Sequence, residues 1–375
     1  MRVLYDGLVY SIQAVGGINR YFAQIVERLP EEVTPILLAE SQRKLAFPQH
    51  PRLEVTLSGA PAWPKPLRRV ARWLGARRIR EAYGRIAADV VHPTYYGLLG
   101  RMDIQQERRP LVVTVYDMIH ERFAAVLDPH GRHAAEKRQA ILAATAVICI
   151  SEHTKRDLLE RIAFPEHRVW VTPLASDMHR VVPAAPDQSP PQPFFLHVGS
   201  RAAYKNFDRL LAALVPVVAR SKDVRLCVVG PPFSRAEQRR IADLHLERHV
   251  LHGGYVTDAV LARLYRDAVA LVYPSLYEGF GIPPLEAMSC GGVVVAARTS
   301  SLPEVVGDGG LLFDPHSTDE LAARLIDLLE QPTDREEWRR RGRERARLFD
   351  WDHTTAQTVA VYRAAAAGTR HRLSA

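Results

Sequence analysis

V-Y-P-S-L-Y-E-G-F-G-I-P-P-L-E-A-M-S-C-G-G-V-V-V occupies Val272–Val295, and S-S-L-P-E-V-V-G-D-G-G-L-L-F-D-P follows at Ser300–Pro315. The apolar run Ala268–Tyr273 stops at Pro274 and reads as a buried parallel strand. Pro283 and Pro284 suit the start of a helix, and Gly291 stands where a glycine ends one. Glu278 therefore falls in the loop leaving a strand. Glu286, after an interval of seven residues, falls in the first turn of the next helix. The free N–H groups and dipole of that helix end favour an anion. In open α/β sheets, loops at the carboxyl ends of parallel strands are where ligands bind. Two acceptors for sugar hydroxyls beside a place for a diphosphate point to a sugar nucleotide. A plainer reading, two acids of a solvated loop and helix start, does not account for the surrounding block.

Outward from this stretch the chain alternates strand-like and helix-like segments. Apolar runs at Arg2–Tyr5, Val33–Leu38, Asp89–His92, Leu111–Tyr116, Ala146–Ile150 and Val169–Thr172 form a first set. A second lies at Phe194–Val198, Val224–Val229, Val250–His252, Ala268–Tyr273 and Gly292–Ala296. Between strands runs helical spacing, as in Ile18, Tyr21, Phe22, Ile25, Val26 and Leu29. Such alternation implies parallel sheets with helices on both faces. The proline-dense Pro183–Pro193 separates the two sets and reads as a linker. The expected fold class is α/β, with two Rossmann-like doubly wound domains, 1–183 and 194–350, facing a cleft. The closing helix, 351–368, is expected to pack back on the first.

A length of 375 residues suits two domains, and 47% apolar residues give each a core. No stretch is long and apolar enough to span a membrane, and M-R-V-L-Y-D lacks the apolar core of a signal peptide. Cys149, Cys227 and Cys290 sit in or beside apolar runs without metal spacing, which reads as reduced core thiols and a cytoplasmic location. A net charge of +8 favours an anionic partner without choosing among sugar nucleotide, nucleic acid and acidic lipid.

The Val272–Pro315 block resembles the donor site of the family 4 retaining glycosyltransferases, which have the GT-B fold and a Glu-x7-Glu signature. The resemblance implies that Glu278 contacts the donor sugar and Glu286 the nucleotide ribose, with Gly279, Phe280 and Gly281 in the donor-binding turn between them. It extends to H-V-G-S-R-A-A-Y-K-N-F, His197–Phe207. There, relatives carry an Arg and a Lys that neutralise the diphosphate leaving group. Lys205 and Asn206 match the Lys-Asn pair, while Arg201 lies one residue beyond the usual Arg position, which Ser200 fills. Departing diphosphate gathers negative charge that a fixed cation stabilises. The simpler role for Lys205, a surface lysine at a helix start, is electrostatically unfavourable. In L-H-G-G-Y-V-T-D the resemblance makes Tyr255 and Val256 base-contacting candidates, and Thr257 or Asp258 also serves as a helix cap.

Near the N-terminus, A-V-G-G-I-N-R-Y-F resembles the family's Gly-Gly-Ile-x-Arg-Tyr loop, so Gly16 and Gly17 are expected beside the donor phosphates. Arg20 is placed either to meet an acceptor phosphate or to be a solvated arginine; both readings stand. Strand ends in D-V-V-H-P-T-Y-Y-G and T-V-Y-D-M-I-H-E make Tyr95, Tyr96 and Asp117 acceptor-binding candidates, with His92 read as structural. The family's sugar-contacting His corresponds to Tyr116, so His120 is the nearest catalytic substitute. Asp350-Trp351-Asp352 could suggest a metal in other transferases; here it reads as structural, with Trp351 an anchor and Asp352 a cap. No metal or other cofactor is expected.

Lys65–Arg85 holds eight cations (Lys65, Arg68, Arg69, Arg72, Arg77, Arg78, Arg80, Arg85) and an apolar stripe of Leu67, Val70 and Leu74 flanked by Trp63 and Trp73. That pattern suits either an anionic membrane surface or a helix with its apolar stripe turned inward. Together these readings predict a metal-independent, retaining transferase. It moves a hexose, mannose and glucose being the candidates, from a nucleoside diphosphate sugar to a saccharide or lipid-linked acceptor in cell-surface polysaccharide or lipopolysaccharide synthesis. It would work in the cytoplasm, peripheral to the inner face of the cytoplasmic membrane. The alternatives are another enzyme of the same architecture, such as a sugar-nucleotide epimerase, or a non-enzymatic nucleic-acid-binding protein. The latter explains the charge but not the Glu-x7-Glu block, so no nucleic-acid partner is expected, and no oligomeric state is set.

Overall fold

Runs of Val, Ile and Leu too short for a helix become the inner strands of parallel sheets, where both faces are covered and alternation is not required. The computed structural model describes residues 1–13, 16–40, 47–59 and 68–373, with only the backbone at residues 68 and 369–373. It divides into two units, Met1–Leu174 with Trp351–Ala375, and Ala175–Asp350.

In the first unit, β1 (Arg2–Asp6), β2 (Thr34–Glu40), β3 (Glu54–Ser58) and β4 (Val90–Pro93) pair in parallel in the order β3-β2-β1-β4. β5 (Val112–Val115), β6 (Ala146–Cys149) and β7 (Val169–Val171) follow in the order β5-β6-β7. A parallel bridge between Val91 and Leu111 joins the two sets into one doubly wound arrangement. In the second unit, β8 (Phe194–Val198), β9 (Arg225–Val229), β10 (Val250–Gly254), β11 (Leu271–Tyr273), β12 (Val294–Ala297) and β13 (Leu311–Phe313) form one parallel sheet. Its order, β10-β9-β8-β11-β12-β13, is that of a Rossmann sheet.

The sequence reading omitted β3 and β13, and both are edge strands. An edge strand has less to bury: Val55 and Leu57 of β3 are 41% and 54% exposed, so no continuous apolar run marks it. The helix Gly17–Glu27 buries Tyr21, Phe22, Ile25 and Val26, as its spacing requires. The helix Ile282–Ser289 ends with Gly291 at φ 80°, its N–H donating to Met288 O (3.0 Å) and that of Gly292 to Ala287 O (2.8 Å). This is the glycine-terminated pattern expected there. The helix starts at Ile282, so Glu286 lies in its second turn rather than its first.

The linker reading needs correction. The units divide at Leu174–Ala175, and Pro183–Pro193 belongs to the second. Its prolines cannot join a sheet ladder, yet its other groups find partners on the helix Asp258–Asp267. Ala184 N–H donates to Ala259 O (2.9 Å), Arg263 Nε to Ala184 O (2.8 Å) and Ser189 Oγ to Asp267 (2.7 Å).

The last helix, Trp351–Leu373, belongs to the first unit. Trp351 is buried against Tyr21 at 6.3 Å. Asp352, expected as a cap, sits inside the first turn and pairs with Arg28 at 3.2 Å, because the helix has already begun at Trp351. Deeper, Tyr362 OH lies 2.7 Å from His92 Nδ1 and 3.1 Å from Tyr5 OH, while His92 Nε2 lies 2.9 Å from Thr114 Oγ1. His92 is thus structural, as read from the sequence. Burial pushes its pKa down to about 3.

A neutral buried imidazole has a pH consequence of definite sign. Below its unfolded pKa of about 6.5, the unfolded chain takes up a proton that the folded ring refuses, so stability falls toward about pH 3. His92→Asn should melt earlier than the parent at neutral pH, having lost hydrogen bonds. The gap between their melting temperatures should shrink as pH falls from about 7 to about 4. A constant gap would show that His92 is not held neutral.

Candidate functional site

β8 and β11 are neighbours in space although two strands intervene in sequence, so the loops leaving their carboxyl ends lie at the point where the sheet order reverses. After β8 the chain turns at Gly199, makes a short 3-10 turn, Ala203–Lys205, and passes through Asn206 into the helix Phe207–Arg220. After β11 it runs from Pro274 to the turn at Gly279–Gly281. Leu276 N–H donates to Tyr204 O (2.7 Å), which fastens the loops together.

Lys205 Nζ meets Glu278 Oε1 at 2.6 Å and donates to Tyr273 OH at 3.2 Å. Both members of the ion pair are largely shielded, at 13% and 12% side-chain exposure. Burial works against the ammonium charge, but Tyr273 and Glu278 outweigh it and leave the lysine pKa above its ordinary value. Glu278 N–H donates to Ser300 Oγ (2.9 Å), and Ser301 Oγ donates to the carbonyls of Glu278 (2.9 Å) and Phe280 (2.7 Å). Gly281 has φ 117°, and a Cβ there would lie 2.8 Å from Leu302 Cδ2, so only glycine suits the position. Glu286 is buried and accepts from Tyr265 OH at 3.1 Å. Pro283 and Pro284 carry no N–H, so this helix start has fewer amide donors than an ordinary one and Lys205 carries more of the attraction for an anion.

Several expected ligand contacts turn out to be supports. Asn206 donates both side-chain bonds to carbonyls, Pro274 O (3.2 Å) and Pro315 O (2.9 Å), tying the loops after β8, β11 and β13. The Phe280 ring is buried against Phe349 at 5.7 Å, which leaves only its backbone on the loop. Arg201, one residue late for a diphosphate contact, turns toward the loop after β9. Its Nε bonds Glu237 (2.6 Å), its Nη2 bonds Pro231 O (2.8 Å) and Pro232 O (2.9 Å), and its guanidinium stacks over Phe233 at 4.8 Å. Glu237 balances its charge, so Lys205 is the cation brought to Glu278. Tyr255, 81% exposed, and Val256 follow β10, two strands from β8. Thr257 caps the next helix by accepting from Val260 N–H.

In the first unit, Gly16 adopts extended backbone at φ 175° before the helix Gly17–Glu27, and its preceding residues 14–15 lie outside the described ones. Arg20 is half-buried on that helix. The Tyr95 and Tyr96 rings meet at 4.7 Å with a tilt of 48°, and Tyr116 N–H donates to Tyr96 OH at 3.2 Å. The sequence reading missed Lys137, the residue that gathers this group. It is 1% exposed, donates to Asp117 O and Glu121 Oε2 (2.9 Å each), and lies 5.4 Å above the Tyr96 ring. The available signal was a lysine sharing a helical face with the buried Ala140 and Ile141. His120 stacks on His133 at 4.9 Å, and its pKa is lowered by burial and by Lys137.

The basic stretch becomes the helix Arg68–Arg85, with Lys65, Trp63 and Leu67 outside the described residues. Ala71, Ile79 and Tyr83 face inward, not the expected Val70: Val70 and Trp73 are 47% and 58% exposed. Arg69, Arg72, Arg77, Arg78, Arg80 and Arg85 are exposed around them. No described helix is long and apolar enough to cross a membrane.

Residues 183–345 match the family model "Glycosyl transferases group 1" and residues 15–180 that of "Glycosyltransferase Family 4". The O-antigen chain mannosyltransferase B of Escherichia coli is 33% identical over 241 residues, 60% of this chain and 62% of that one. The MMP alpha-(1->4)-mannosyltransferase of Mycolicibacterium hassiacum is 31% identical over 296 residues, 74% and 71% of the two chains. Among solved structures, sucrose-phosphate synthase from Thermosynechococcus elongatus superposes with a TM-score of 0.76 at 21% identity, covering 96% of this chain and 98% of that one. WaaG, a glycosyltransferase involved in lipopolysaccharide biosynthesis, superposes at 0.68 and 18%, covering 96% and 98%.

Lys137→Met should leave the half-buried Asp117 and Glu121 without their cation and cost about 2 kcal/mol in denaturant unfolding. Loss of the exposed Arg77–Glu81 pair, through Glu81→Ala, should cost far less, since solvent screens it. Equal costs would show that Lys137 holds nothing together.

Proposed function

The chain belongs to glycosyltransferase family 4, and from that premise we propose that it transfers a hexose from a nucleoside diphosphate sugar to a hydroxyl of a saccharide or lipid-linked acceptor. Transfer retains the anomeric configuration and needs no metal. The observation that carries this reading is the meeting of Lys205 and Glu278 at the reversal point of a Rossmann sheet. A cation and a carboxylate placed there suit the two halves of a sugar diphosphate. Mannose as the hexose, and cell-surface polysaccharide as the destination, draw support from the two mannosyltransferase relatives.

In the proposed mechanism Lys205 takes the departing diphosphate. A fixed charge in a shielded site stabilises the developing anion without reorganising water. Glu278 accepts from sugar hydroxyls and sets the anomeric carbon toward the acceptor. Glu286, steadied by Tyr265, accepts from the ribose. Diphosphate leaves on the face where the acceptor enters, and its oxygen helps remove the acceptor proton. Tyr95, Tyr96 and Asp117, gathered by Lys137, are the acceptor-side groups. The arginine-rich helix Arg68–Arg85, with Trp73 and Val70 outward, rests on an anionic membrane surface beside a lipid-linked acceptor.

Lys205→Ala should lower kcat by about a hundredfold or more and Glu286→Ala should chiefly weaken nucleotide binding. Glu278→Gln should bind free nucleoside diphosphate at least as tightly as the parent, because it removes an acid beside Lys205, yet fail in transfer. Calorimetry and turnover of the three variants measure this. Parental turnover in all three, or an inverted product, would overturn the assignment.

Membrane attachment is read by vesicle sedimentation. Binding should appear on anionic vesicles, be absent on neutral ones, and weaken with salt as screening sets in over roughly 8 Å. Arg69→Ser with Arg72→Ser and Trp73→Ser should reduce it without changing activity on a soluble acceptor. Unchanged sedimentation would make the helix an ordinary solvated face.

A further inference from the structure

The residue at the contact of Lys205 and Glu278 that no family signature names is Tyr273. It ends β11, which is paired in parallel with β12 on one side (Tyr273 opposite Ala296) and with β8 on the other. Its backbone is therefore set by the sheet, whereas Lys205 stands on a 3-10 turn and Glu278 in a loop. The Tyr273 side chain is 3% exposed. Its hydroxyl accepts from Lys205 Nζ at 3.2 Å, the same ammonium that meets Glu278 Oε1 at 2.6 Å, so the phenol, the cation and the carboxylate form one chain. Burial, reinforced by the Glu278 charge, holds the phenol far above its ordinary pKa, so it remains a donor throughout the working pH range.

Donor binding makes opposite demands on the ion pair. A diphosphate claims the ammonium of Lys205, and sugar hydroxyls claim the carboxylate of Glu278, so the 2.6 Å contact must loosen. Two charges with only each other as partners would close again or swing independently. A hydroxyl fixed to the strand and bonded to the ammonium supplies a constant point that keeps Lys205 in place as Glu278 turns to the sugar.

We propose that Tyr273 is a positioning residue for transfer, its hydroxyl holding Lys205 in its place beside Glu278 as the sugar diphosphate comes between the two charges. The proposal rests on the roles given to Lys205 and Glu278 above. Its physical basis is that a hydrogen bond to a charged group in a shielded site is stronger than one between neutral partners.

Tyr273→Phe keeps the ring and removes only the oxygen. Its kcat should fall about tenfold, with affinity for free nucleoside diphosphate within about threefold of the parent and melting little changed. In a Glu278→Gln background the same substitution should add less than about threefold, because residues acting as a unit are not additive. Independent multiplication of the two effects, or parental kcat in Tyr273→Phe, would overturn the proposal. So would a fall in melting temperature accompanied by equal losses of nucleotide affinity and rate, which marks a packing role. Parental turnover in Glu278→Gln would instead overturn the reading of the site. A crippled Glu278→Gln with a parental Tyr273→Phe would overturn the Tyr273 role alone.

Discussion

Parallel strands are joined by crossovers that return over a face of the sheet, and such crossovers are right-handed. In the order β10-β9-β8-β11-β12-β13 the chain works outward from β8 to one edge, then returns to β11 and works outward to the other. The loops leaving β8 and β11 therefore lead to opposite faces, and the space where they part is open to a ligand. Lys205 comes from the first loop and Glu278 from the second. The rest of the second unit holds these loops at their separation. Asn206 bridges three of them, Ser300 and Ser301 brace the turn at Gly279–Gly281, and Tyr273 accepts from Lys205.

Two cations four residues apart, Arg201 and Lys205, have opposite fates. Arg201 is planar and rich in donors, which suits stacking and multiple bonds. It is taken up by Phe233, Glu237 and the carbonyls of Pro231 and Pro232, where it shapes the loop after β9. Lys205, a compact charge on a flexible stem, is left facing a single carboxylate and a phenol. An ion pair made with an exchangeable partner is the form in which a binding site stores charge without leaving it buried and unpaired.

The first unit has the same winding but a more polar interior. Burial pushes the Asp6 carboxyl up to about 8, with the Leu99 amide working the other way. His92 is held neutral between Tyr362 and Thr114, and Lys137 donates to Asp117 and Glu121. Each is a group that costs free energy to bury unless it is bonded. The His92 network reaches the helix Trp351–Leu373, so the end of the chain completes the interior of its beginning.

Inner strands, helix phases and the glycine end of Ile282–Ser289 were legible in the sequence, because periodicity and capping depend on residues close in the chain. β3 was not, since a half-solvated edge leaves no continuous apolar run, and β13 was not, since its run is only three residues long. Family resemblance singled out Glu278, Glu286 and Lys205. It could not tell that Arg201 turns to Glu237, that Asn206 and Phe280 brace the loop, or that Lys137 gathers Tyr96, Asp117 and Glu121. The sequence by itself thus determined the parallel α/β class of each unit and which loops follow β8 and β11. Only the tertiary structure decided which charges meet, because an ion pair between residues 73 apart depends on strand order and on what each side chain finds beside it once the sheet has formed.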